Sequence, residues 1–136
     1  MDNPDGNRIA MANRDPRHNG KFAEAFAFAY AARVLDANLD CLTLSALTGP
    51  FGLIADENEP TPAGHTRPVF NSLKTLSALA GKEWRAYLSS RPNHVLAFAV
   101  EGELWLVNVT PEEQSLSIEG RNAFSLAPFR VLSIPL

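Results

Sequence analysis

Arginine and aspartate are interleaved at Arg14-Asp15-Pro16-Arg17, and these residue types could hold an anionic ligand. A guanidinium offers a planar fork of donors that matches a carboxylate in two parallel hydrogen bonds. The plainer account has Asp15 cap a turn while the arginines pair with neighbouring acids, because structural ion pairs outnumber functional ones. Other reactive side chains are scattered. His18, His65 and His94 lack a second His, Cys or carboxylate at ligand spacing, and read as surface or locally hydrogen-bonded residues. Cys41, the single cysteine, has no nearby base and reads as a buried, inert thiol. No serine sits in a nucleophile elbow, and Thr48-Gly49-Pro50-Phe51-Gly52 lacks the lysine of a phosphate loop. Asp56, Glu57 and Glu59 lack the spaced ladder and closing glutamate of a calcium loop, and read as solvated acids. Asn108-Val109-Thr110 matches the glycosylation sequon, an incidental match without a secretory leader. No catalytic set, metal site or cofactor is expected from these residues.

The elements that would position them fall into three stretches. Residues 1–20 are polar and turn-rich, with Pro4, Gly6 and Pro16, and read as an arm or loop with a short extended piece at Arg8-Ile9-Ala10-Met11. Residues 21–81 read as helix, strand, helix. Lys21 to Ala37 is alanine-rich, with Asn19 or Gly20 as N-cap and Asn38 suited to the left-handed position after the last turn. Its apolar residues run nearly all the way round, so it must be buried on more than one side. Cys41 to Leu47 carries no charge and fits a fully covered strand of a parallel sheet. A glycine-punctuated loop and an acidic, proline-rich excursion follow. Thr66 then caps a second helix with Pro68 in its first turn, a 3.6 period through Val69, Phe70, Leu73 and Leu76, and Gly81 as its stop.

Residues 82–136 switch to period two. Trp84–Ser89, His94–Val100, Leu104–Val109, Gln114–Ile118 and Phe124–Ile134 read as short strands, with a hairpin at Glu101-Gly102-Glu103 and a break at Pro128. The fold class is therefore α+β: a β/α segment with two helices, then an antiparallel sheet or small sandwich. The 136 residues fit one domain or two small units, and 46% hydrophobic residues are enough for a core. A net charge of −3 gives no basic field, so neither nucleic acid nor an anionic membrane is expected as partner. No apolar run reaches membrane-span length, and the polar N-terminus lacks a signal-peptide layout, so the default address is cytoplasmic.

The order of these parts, with Arg14-Asp15-Pro16-Arg17, Thr48-Gly49-Pro50-Phe51-Gly52-Leu53, Arg67-Pro68-Val69-Phe70 and the Leu-Val-Asn-Val-Thr of the β module, resembles the end of a glycosidase-like (β/α)₈ barrel protein with an appended β-sandwich. Within that group it looks most like the bacterial D-apionate lactonase family. The resemblance implies that Lys21–Ala37 is the seventh barrel helix, Cys41–Leu47 the eighth strand and Arg67–Ala80 the eighth helix. It implies that the paired acids of such folds lie on strands upstream of Met1. Because active sites of such barrels sit at strand C-terminal ends, Thr48, Gly49, Pro50 and Phe51 become candidates for a substrate-pocket rim, with Arg14 and Asp15 beside them. The implied ligand is a sugar acid or sugar lactone bound by the whole protein.

Two functions follow. In the first, the chain is the non-catalytic C-terminal portion of a carbohydrate-lactone or glycoside hydrolase, bracing the barrel and shaping its pocket. In the second, it is an independent binding or assembly module, either a sandwich that stacks sugars on Trp84, Tyr87 or Trp105, or an obligate oligomer. The orphaned faces of Phe26, Phe28 and Tyr30 call for a cover, either a second copy or an upstream barrel.

Overall fold

A computed structural model describes residues 15–37 and 39–136. The Arg8–Met11 piece, Arg14 and Asn38 lie outside these residues. Helix α1, Lys21–Val34, begins at Gly20, follows a 3-10 turn over Pro16–Asn19, and runs on into a second 3-10 turn, Leu35–Ala37. Helix α2 is Val69–Leu79. Its N-cap is Pro68 rather than Thr66, because Arg67 intervenes and is drawn into a buried site of its own. Gly81, at φ 74°, supplies the left-handed residue that ends the helix.

The expected strand at Cys41–Leu47 does not form. That segment has no ladder, its contribution being one isolated parallel bridge, Ala46 to Gly52, and Leu47 is 67% exposed. A parallel strand needs neighbours on both edges and cover on both faces, and among the described residues none flanks this one. Cys41 accordingly stands exposed, not buried.

The β module is two sheets. One has four antiparallel strands in the order β1 (Trp84–Tyr87), β2 (Val95–Val100), β3 (Glu103–Asn108) and β6 (Val131–Pro135), and the other pairs β4 (Gln114–Leu116) with β5 (Phe124–Leu126). The β2–β3 hairpin closes through Glu101 and Gly102, at φ 53° and 79°, the left-handed pair that matches strand twist. Around Pro128 the expected last strand divides, and β5 and β6 join different sheets. Alternation then gives the larger sheet two apolar faces. Val95, Leu104 and Leu106 meet Leu126 of the smaller sheet, while Phe98, Val100 and Val107 meet Ala25 and Phe28 of α1.

Helix α1 is therefore buried twice. Ala23 and Ala27 pack on Val69 and Leu73 of α2, and Ala25 and Phe28 pack on the sheet. Small side chains let the elements approach closely, and Phe28 is the one aromatic among the buried residues of the helix. Phe28, expected to need an outside cover, is only 3% exposed because Trp105 stacks on it at 5.2 Å. Trp105 also stacks on Phe98 at 6.3 Å and stands half-buried against the same cluster. Phe26 and Tyr30 remain open at 51% and 45%.

The sequon is a structural knot. Asn108 is fully buried, and its Nδ2 donates to the carbonyls of Glu112, Leu126 and Ala127. Its Oδ1 accepts from the backbone N–H and the hydroxyl of Thr110. One side chain thus ties β3 to the turn before β4 and to the end of β5.

Candidate functional site

The loop Thr48–Gly52, the candidate rim, follows the Cys41–Leu47 segment directly. Gly49 sits at φ 87°, where a side chain would be strained, and Gly52 passes so close to Thr48 that a Cβ would lie 2.4 Å from its carbonyl carbon. The two glycines fold Thr48–Gly52 into a hook. The Gly52 N–H closes the hook onto Gly49 O at 2.9 Å, and side chains take up the carbonyls of Phe51 and Gly52. Ser45 Oγ donates to Phe51 O at 2.6 Å, and His18 Nε2 lies 2.9 Å from Gly52 O. A carbonyl only accepts, so Nε2 carries the proton.

Arg67 completes the set. It is 1% exposed and donates from Nη1 to the carbonyls of Gly52 and Ile54, and from Nη2 to that of Gly49. Its Nε reaches Glu59 Oε2 at 2.9 Å and its Nη2 reaches Glu59 Oε1 at 2.7 Å. The sequence expectation of a solvated Glu59, alongside Asp56 and Glu57, does not hold. Instead its side chain is 7% exposed, because the buried guanidinium needs a counter-charge. Neither residue announced itself in the sequence as part of the rim. The usable signal was an arginine placed immediately before a proline that opens a helix, downstream of a tight, glycine-punctuated loop.

The 3-10 turn stands against this hook. Asp15 caps it, accepting from Arg17 N at 3.0 Å, and holds the Arg17 side chain at 2.8 Å. The Arg17 hydrogen bonds keep the Asp15 carboxyl below the usual carboxylate range, against a smaller opposing push from desolvation. This arrangement is the cap and local ion pair that the plainer reading of Asp15 describes, and Arg14 lies outside the described residues. His18 meets the Phe51 ring edge-on at 6.2 Å. Between the turn and the hook lies a crevice of about 200 Å³, lined by Asp15, Asn19, Pro50, Asn58 and Glu59 among others. Asn19 Oδ1 is buried at this place without a hydrogen-bond partner. Of the pocket candidates, the fold thus brings Asp15 to Pro50. Phe51 is 45% exposed beside them, Gly49 is held from beneath by Arg67, and Thr48 is exposed at the base of the hook.

A second, apolar groove of about 710 Å³ opens along the unpaired segment, with Ala31, Leu35, Leu44, Leu73, Leu76 and Trp84 in its lining. Among the described residues no three His, Cys, Asp or Glu side chains come together as a metal site would require. No helix of the described residues is long and apolar enough to cross a membrane.

Comparison with known proteins bears on both parts of the chain. Residues 1–81 match the model of the D-apionate lactonase TIM barrel domain, and residues 92–134 that of the D-apionate lactonase C-terminal immunoglobulin-like domain. A D-apionate lactonase of Brucella anthropi is 63% identical over 134 residues, which is 98% of this chain but 22% of that protein. The chain thus spans about a fifth of the length of its curated relative. No solved structure matches it. The two helices are part of a barrel, the two sheets are the appended module, and the chain belongs to the D-apionate lactonase family.

Proposed function

We propose that the chain is the C-terminal, non-catalytic portion of a protein that hydrolyses a sugar-acid lactone, where it braces the barrel and forms one wall of the substrate pocket. One observation carries this reading. The Thr48–Gly52 hook and the turn before α1 meet at one end of that helix, across the His18–Gly52 hydrogen bond. In a (β/α)₈ barrel the helix N-termini and strand C-termini share the catalytic face, so the crevice between them belongs to the substrate side. The apolar groove beside Cys41–Leu47 is then the seat of the remaining barrel strands. The name of the Brucella relative, a D-apionate lactonase, supports a lactone of D-apionate as the ligand class. A cytoplasmic address suits an exposed, unpaired Cys41, since reducing compartments keep such thiols free.

The test is a hybrid enzyme in which this chain replaces the matching segment of the Brucella protein. The hybrid is expected to release acid from the sugar lactone at a rate comparable to the parent, and the chain alone to release none. In the hybrid, Phe51→Ala is expected to raise KM severalfold with kcat nearly unchanged, as loss of a binding wall does. Lactone hydrolysis by the chain alone, or an inactive hybrid in a folded protein, would overturn the reading.

A further inference from the structure

Arg67 has a placement that stability alone does not call for. Burying an ion pair is costly, and an apolar side chain of similar volume commonly serves folding as well or better. Here the guanidinium lies under a glycine hook, with its donors divided between two tasks. Three carbonyls of the loop, Gly49, Gly52 and Ile54, accept from its Nη atoms, and the Glu59 carboxylate accepts from Nε and Nη2. The Arg67 backbone N–H adds a bond to Leu53 O at 2.8 Å. Hook and acidic excursion are thereby bound to the residue that leads into α2. Only a planar fork reaches acceptors spread in this way, because an ammonium is one donor centre on a flexible stem.

The geometry points to Arg67, neutralised by Glu59, as the positioning residue of the substrate-pocket rim. It pulls the carbonyls of the hook inward and so fixes where Pro50 and Phe51 stand. This rests on the reading of the hook as one wall of a lactone pocket. The clasp also explains how an excursion of polar and proline-rich residues stays close to the rim. Glu59 and Pro60 line the same crevice as Asp15 and Pro50, so the carboxylate that neutralises Arg67 also closes one side of the crevice.

Two readouts test it. In the chain itself, hydrogen exchange of the Gly52, Leu53 and Ile54 amides is measured for the parent, Arg67→Lys, Glu59→Asp and Glu59→Gln. Arg67→Lys is expected to speed exchange about tenfold or more at these amides while β2 and β3 stay protected. In the hybrid lactonase, Arg67→Lys is expected to raise KM about tenfold with kcat within about threefold, because a displaced wall weakens binding before it alters chemistry. Glu59→Asp keeps the carboxylate and is expected to lie nearer the parent than Glu59→Gln in both readouts. The exchanged pair Glu59→Arg with Arg67→Glu is expected to restore neither, since a carboxylate cannot donate to the three carbonyls. Parent-like exchange in Arg67→Lys, or recovery by the exchanged pair, would overturn the clasp. An unaltered KM in an active Arg67→Lys hybrid would overturn its role at the rim. An unsubstituted hybrid without activity would instead count against the lactonase reading, and amide exchange would still decide whether Arg67 holds the hook.

Discussion

Glu24 sits half-buried on α1, in the lining of a crevice shared with Lys21, Trp105 and Arg130. Loss of water raises its carboxyl above the usual range, and the nearby Lys21 and Arg130 charges only partly oppose this. The sign of the pH effect follows. As pH rises, the unfolded chain gives up this proton first, while the folded chain keeps it until its own higher pKa is passed. In that window the folded state binds more protons, so its stability falls with rising pH, and above the window the deficit stays constant. Glu24→Gln is therefore expected to melt above the parent at pH 7, with the gap closing below about pH 4. Thermal melts of both proteins across that range check it, and a gap that widens on acidification would contradict it. Asp15 works in the opposite sense. Its lowered pKa stabilises the turn above the carboxylate range and is lost as pH falls through the folded value. The Arg17 partner is largely exposed to water, so the effect is small.

Among the elements, α1 decides whether the two halves of the molecule form one body. Its contact with the sheet runs through Phe28, stacked on Trp105. Phe28→Ala is expected to cost about 3–5 kcal/mol, the usual range for a buried phenylalanine truncation, read from urea unfolding. A loss below about 1 kcal/mol would mean that helix and sheet are not a single cooperative unit. The elements also show what was legible in the sequence. Period and turn chemistry gave the Glu101-Gly102 hairpin and the Gly81 stop, because both are local. The composition of the uncharged run Cys41–Leu47 suits a covered strand, but the neighbours that would make it one are not among this chain's described residues. The double burial of α1 was legible from its missing polar face, though not the fact that Trp105 supplies part of the cover. The Arg67 clasp was illegible for a different reason. Its acceptors are main-chain carbonyls, which every residue owns, so no spacing of side chains reveals them.

At the scale of the molecule, the exposed Phe26 and Tyr30 and the groove along Cys41–Leu47 are apolar surfaces that a stable monomer seldom leaves open. The chain on its own is expected to associate and to bind an apolar dye, while in the hybrid the barrel covers the groove and dye binding falls. Light scattering and dye fluorescence on both proteins check this, and a monodisperse, dye-silent chain would refute it. The placement of α1 between α2 and the sheet has a further consequence for descent. Ala25 and Phe28 belong to the core of the β module, while Ala23 and Ala27 belong to the barrel side. A recombination near Gly81 that exchanged the module for another would leave Phe28 facing a surface with no matching Trp105, Phe98 or Val107. Exchange of either module is therefore expected to require remodelling of a helix of the other at the same time.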